Sequence, residues 1–257
     1  TGRYIINHGF PSIDPFTIHE GFELVVQQWL TDVIFYEVFD LFGKVGVAFL
    51  IFTSYLIIIY IFYKLCQLLD ENRFRLSVLL TVIFGVLYAR FFLTSRPQIF
   101  DCLIFVIEFY LLESFINKKN AKYLIGLPIL SLALINLHSS SWFLFLIFLI
   151  PYYLKLDWFH LEKGKYSLKP LVIATIVSIL VAFINPYGWD AISYIFYSYG
   201  DYYINKLVVE MRHFLILGNC TLRYCFTCIT VLLIKSEQEN ENEILVTIFR
   251  NEYISIF

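Results

Sequence analysis

Charge is scarce in this chain: Asp, Glu, Lys and Arg make up 16% of its 257 residues, whereas 59% are hydrophobic. With a mean hydropathy of +0.71, it carries more apolar surface than one soluble domain of this length can bury, so that class is excluded. A net charge of −2 supplies no basic face, and no nucleic-acid partner is expected. Methionine occurs once, at Met211, and the first residue is Thr1, as expected of a chain whose start has been lost or cleaved; no signal peptide is there to read. The cysteines Cys66, Cys102, Cys220, Cys225 and Cys228 make no disulfide framework. Cys225 and Cys228 have knuckle spacing without a second pair. His8, His19, His160 and His213 fit no HExxH pattern. No glycine loop for phosphate and no serine elbow occurs, so no metal site emerges and no cofactor is expected. The one low-complexity run is the acidic, Asn-rich stretch at 237–243.

Long apolar runs are what the chain has. A hydrocarbon core about 30 Å thick is crossed by about 20 mostly apolar residues in a helix. Spans are predicted at 45–64, 76–93, 98–116, 122–137, 141–154 and 170–185, with a seventh candidate at 214–234. The expected fold is all-α: a polytopic transmembrane helical bundle (45–213) behind an external segment (1–44) and before a polar tail (214–257). If the first span enters from outside, Lys64, Arg73, Arg75, Lys118, Lys119, Lys122, Lys155, Lys163, Lys165 and Lys169 fall inside. Only Arg3, Lys44, Arg96, Lys206 and Arg212 fall outside, and excess positive charge marks the cytoplasmic side. Trp29, Trp142, Trp158 and Trp189 then lie near the membrane surfaces, where indoles are favoured.

This orientation puts the unusual polar stretches on one, extracytoplasmic face. Between Phe22 and Phe42, apolar Val25, Val26, Trp29, Leu30, Val33 and Ile34 alternate at helical spacing with Glu23, Gln27, Gln28, Thr31 and Asp32. The pattern predicts an amphipathic surface helix anchored by Trp29 and stopped by Gly43. Ahead of it, NHG at 7–9 and SIDP at 12–15 read as turns. In LTSRPQIF (93–100), Arg96 sits in a tight outer turn before Pro97 and Gln98, and Arg90 lies near the outer end of the preceding span. A guanidinium in such a turn is suited to a phosphate, which it meets with two donors. Asp101 is a candidate to orient Arg96, and Glu108 to pack against another helix. Asn136 and His138 lie in the next outer turn, behind a span that Pro128 is expected to kink; His138 is a candidate proton carrier or donor to a sugar or phosphate. Asn185, Tyr187 and Trp189 form a third outer turn. Beyond it come Tyr194, Tyr197, Tyr199, Tyr202 and Tyr203, an aromatic belt or a carbohydrate platform, and then Glu210 and Arg212.

Taken in order, TGRYIINHGFPSIDPF, QQWLTDVIFY, RPQIF, INLHSSS, NPYGW and EMR resemble the stations of a bacterial multi-pass membrane family of GT-C type glycosyltransferases. These are related to protein mannosyltransferases and oligosaccharyltransferase catalytic subunits. The likeness covers about residues 1–213 and implies transfer of a sugar from a polyprenyl-phosphate donor in the membrane lipid to an unidentified acceptor at the outer face. Arg96, Arg90, Gln98, Gln28, Trp29, His138, Asn136, Asn185, Tyr187, Trp189 and Arg212 would then bind substrate. Family members usually carry an acidic, tryptophan-rich loop ahead of the TGR-like station, outside this chain, and Gln28 stands where an acid often precedes the tryptophan. Within the chain, Asp14 and Glu210 are the candidate catalytic acids. A flippase for a lipid-linked sugar, with polar residues continuing through its spans, and a non-catalytic membrane scaffold are the alternatives.

Overall fold

The computed structural model describes residues 1–18, 21, 23–69, 74–154 and 166–200. Among these, the chain is all-helical apart from a single antiparallel bridge between Ile13 and Glu23. The helices are α1 (Gly2–His8), α2 (Trp29–Leu69), α3 (Phe74–Phe92), α4 (Gln98–Lys118), α5 (Gly126–Leu137), α6 (Trp142–Leu154), α7 (Leu168–Val181) and α8 (Trp189–Gly200). Short 3₁₀ turns, Ala121–Ile125 and Ser139–Ser141, precede α5 and α6. The seventh candidate span, the polar tail, Glu210, Arg212 and the last two tyrosines lie outside the described residues.

Helix α4 is the axis of the bundle. It is buried from Ile99 to Ile116 on nearly every face, with α2 along one side and α5 and α6 along others. A helix apolar on all sides belongs in an interior, and α4 follows that rule while also burying Asp101, Glu108 and Glu113. Aromatic rings set the packing. Phe62 of α2 stacks on Phe84 of α3 at 4.0 Å between centroids, and Phe105 of α4 meets Phe148 of α6 edge-on at 5.0 Å. Polar side chains join helices by bonding to backbone, the usual solution where no water competes: Ser131 Oγ donates to the Ser178 carbonyl (2.7 Å), and Trp142 Nε1 donates to Ser131 Oγ (2.8 Å).

Large apolar side chains also face outward. Phe49, Leu56 and Tyr60 on α2, Leu79, Val82 and Val86 on α3, and Ile173, Ile176 and Leu180 on α7 are all at least half exposed. One helix, α2, is long and apolar enough to cross a membrane; α5, α6 and α7 are apolar but shorter.

Four local expectations change. The amphipathic helix starts at Trp29, not Phe22, because the backbone of the segment before it bonds elsewhere: Leu24 N–H donates to the Ser12 carbonyl, and Gly21 takes a positive φ of 75°. Gly43 does break the helix, with φ 61° and ψ −157°, a conformation essentially restricted to glycine. It bends rather than ends α2, giving a first leg at 29–42 and a second at 44–69. Pro128 lies in the first turn of α5, where its missing N–H leaves no helix bond broken, and the irregular backbone falls ahead of it. Residues 2–8, read only as the approach to a turn, form α1, closed by Gly9 at φ 83°. Gly2 is where α1 docks: a Cβ there would lie 2.1 Å from the Asp32 carbonyl oxygen, so no side chain fits.

Candidate functional site

The three polar turns and the amino-terminal segment meet at one end of the bundle, beside the start of α4. Asn136, the penultimate residue of α5, makes the central junction. Its Oδ1 accepts Trp29 Nε1–H (3.1 Å), and its Nδ2 donates to the carbonyls of Leu132 (2.9 Å) and Ile184 (3.0 Å). One amide thus ties α2, α5 and the end of α7 together with three of its four bonds. Thr31 Oγ1 donates to the Leu137 carbonyl (2.8 Å), and Ser139 N–H to that of Gln27 (2.8 Å). The hydroxyl of Tyr187 donates to the Pro11 carbonyl at 3.2 Å, and Phe10 packs edge-on against both Trp29 and Tyr187. Burial pushes the Tyr187 phenol above its ordinary value, opposed by a backbone bond from Val26.

Asn185 organises its own turn. Its Nδ2 donates to the Ala182 and Gly188 carbonyls (2.8 and 3.1 Å), and its Oδ1 accepts Tyr187 N–H (2.9 Å). Trp189, 60% exposed, stacks on Phe183 at the rim. Gln28 Nε2 donates to Asp32 Oδ1 (3.4 Å). Asp14 accepts Phe16 N–H at Oδ1 (2.8 Å), closing a local turn in the amino-terminal segment. Arg96 is exposed in the turn before α4, and Arg90 is exposed in the last turn of α3 at the same end of the bundle. Gln98, the first residue of α4, is half-buried, and its Oε1 has no hydrogen-bond partner among the described residues.

Under this assembly lies a compact polar cluster. Asp101, in the first turn of α4 and fully buried, brings Oδ2 to 2.6 Å from His138 Nδ1 and accepts the Ser141 hydroxyl at 2.7 Å. Ser141 Oγ is also 2.9 Å from His138 Nδ1, and Ser140 Oγ is 2.8 Å from the other ring nitrogen, Nε2. A 3₁₀ turn directly after α5 makes this geometry, because it returns Ser140 and Ser141 to the two edges of the His138 ring. The side chain of His138 is 14% exposed, so the ring joins a buried carboxyl to the surface.

Sequence reasoning thus brought Asn136, His138, Trp29, Tyr187 and Asn185 to one place. It missed Ser140, Ser141 and Thr31, and it gave Asp101 to Arg96 without seeing its bond to His138. The signal for Asp101 was present: it and His138 each lie within a turn of a helix end at the same end of the bundle. Comparison of the chain with protein-family models, with curated proteins and with solved structures finds no match to any of them, so the geometry of this cluster stands on its own residues.

Proposed function

We propose that the protein is a multi-pass membrane protein of GT-C glycosyltransferase type, moving a sugar from a polyprenyl-phosphate donor to an acceptor hydroxyl at the extracytoplasmic face. The carrying observation is the convergence of three turns far apart in sequence on one buried Asp101–His138 pair, roofed by the amino-terminal segment. Ordinary packing does not need a titratable pair there, and polar groups in such a setting are costly unless put to use.

Immersion in lipid is supported by the many large apolar side chains left exposed on α2, α3 and α7. The opposite end of the bundle supports the orientation. There Lys118 Nζ donates to Tyr123 Oη (3.1 Å), and Asn117 Nδ2 donates to the Leu68 carbonyl (3.2 Å), among the lysines of a cytoplasmic surface.

A polyprenyl-phosphate sugar is already activated. The protein needs to hold the phosphate, orient the acceptor and stabilise charge on the departing lipid phosphate. Arg96 fits the phosphate role by its position at the mouth of the site. The test is incubation of the chain in lipid with radiolabelled polyprenyl-phosphate sugars, scoring release of the lipid phosphate. Arg96→Ala should raise the donor KM at least tenfold, and an unchanged KM would remove the arginine from the site.

A second reading, a carrier for the lipid-linked sugar, has one observation in its favour: Asp101, Glu108 and Glu113 are all buried along α4, the first two on one face of it. Carriers place such groups along a path. Movement of labelled lipid between vesicle leaflets without loss of its sugar would favour it over transfer.

A further inference from the structure

The transfer reading leaves open which group takes the proton from the acceptor hydroxyl: Asp14 closes a turn of the amino-terminal segment rather than joining the cluster, and Glu210 lies outside the described residues. We propose that His138 Nε2 is that base. Asp101 and Ser141 position the ring, and the Ser140 hydroxyl marks the place where the hydroxyl of an acceptor sugar or alcohol docks. This assignment rests on the transfer reading for its substrate class, but its chemistry follows from the cluster itself.

The bonding assigns the tautomer. Asp101 Oδ2 is within 2.6 Å of Nδ1, and the hydroxyl of Ser141 spends its proton on the same oxygen. Nδ1 therefore carries hydrogen, and in the neutral ring the lone pair falls on Nε2. That nitrogen faces Ser140 Oγ at 2.8 Å, within the range where a base takes a proton from oxygen. A carboxylate behind the ring fixes its orientation and stabilises the imidazolium once formed. The full burial of Asp101 keeps water from competing for Nδ1, while the partial exposure of the imidazole lets Nε2 reach a ligand.

In the step itself, the acceptor hydroxyl displaces Ser140 from Nε2 and gives its proton to that nitrogen. The acceptor oxygen bonds to the anomeric carbon as the bond from that carbon to the phosphate oxygen breaks, and the electron pair leaves on the lipid phosphate. The imidazolium then returns its proton to solvent. His138 is the catalytic residue and Asp101 a positioning residue.

The first measurement needs no substrate: ¹⁵N NMR of the full chain labelled at its histidine rings, in lipid nanodiscs, with the His138 signals identified by their loss in His138→Gln. A protonated Nδ1 and an imine-type Nε2 are expected. Asp101→Asn should relocate the proton to Nε2 and lower kcat with donor KM little changed, a combination that a merely structural acid would not produce. An Nε2–H tautomer in the wild type would overturn the assignment. The second measurement is lipid-phosphate release. His138→Gln should lower kcat by about 10²- to 10⁴-fold with donor KM little changed. Ser140→Ala should lower the acceptor KM, since the incoming hydroxyl no longer displaces a resident one; loss of turnover in that variant would make Ser140 a nucleophile and overturn its role here. Wild-type kcat in His138→Gln would remove the base and leave the transfer reading intact. Absence of release from the wild type with every donor would remove the transfer reading and the base role with it, while the tautomer would still test the pairing of Asp101 with His138.

Discussion

Asp101 and Glu108 lie two turns apart on the same face of α4, and each is fully buried. Their neighbours treat them differently. Asp101 is bonded to His138 and Ser141, whereas neither carboxyl oxygen of Glu108 has a hydrogen-bond partner among the described residues. Burial alone thus says nothing about what an acid does. A buried polar group that has partners can stabilise and specify; one without them costs free energy. The difference separates the end of the bundle where the polar turns gather from its middle, where Phe105 and Phe109 of α4 pack against Phe148 of α6.

Substitutions can break or sharpen this contrast. The largest effect is expected from Asp101→Ala, which strands the His138 ring and the Ser141 hydroxyl together; a loss of about 3 kcal/mol should appear in unfolding titrations from mixed micelles. Glu108→Leu should act with the opposite sign, raising stability by about 1 to 2 kcal/mol, because an apolar group of similar volume removes an uncompensated polar one. If both substitutions destabilised equally, the two acids would not differ as described. Trp29→Phe keeps the ring but orphans Asn136 Oδ1, and about 1 kcal/mol should be lost, with faster hydrogen exchange across the amino-terminal segment as a second readout.

The smallest effect concerns Asp32, at the start of α2. Desolvation by burial raises its carboxyl above the ordinary 3.8, with the bond from Gln28 opposing. The folded chain therefore favours the protonated form. Stability should fall as pH rises from about the ordinary value through the raised one, and stay reduced above it. Asp32→Asn should flatten that decline, as thermal melts across the acid range would show.

The sequence made the apolar helices legible because their composition repeats for many turns: α3, α4 and the second leg of α2 fall close to the predicted spans. Helices α5, α6 and α7 fall on the stretches predicted as spans at 122–137, 141–154 and 170–185, the last ending early at Val181, but each is shorter than a crossing helix needs to be. Less legible was the segment ahead of Trp29, where side chains at helical spacing coexist with a backbone paired to residues 12 and 13. Periodicity reports which side chains are apolar, not where the amide hydrogens go. The site was legible as a set of polar turns, since Asn, His and Pro stand out against an apolar background. Its inner wiring was not. The bond from Asp101 to His138 joins residues 37 apart, and no local pattern encodes a contact at that separation.

The bend at Gly43 reaches beyond its own turn. As one straight rod, the 41 residues of α2 would measure about 60 Å, twice the depth of a hydrocarbon core of about 30 Å. A single torsion open to an achiral residue divides that rod, so that one portion can traverse the lipid while the other lies across the mouth of the bundle and delivers Trp29 to Asn136. What matters at position 43 is therefore handedness rather than hydropathy: any L-residue there, however apolar, would turn the first leg away from the polar turns it now meets.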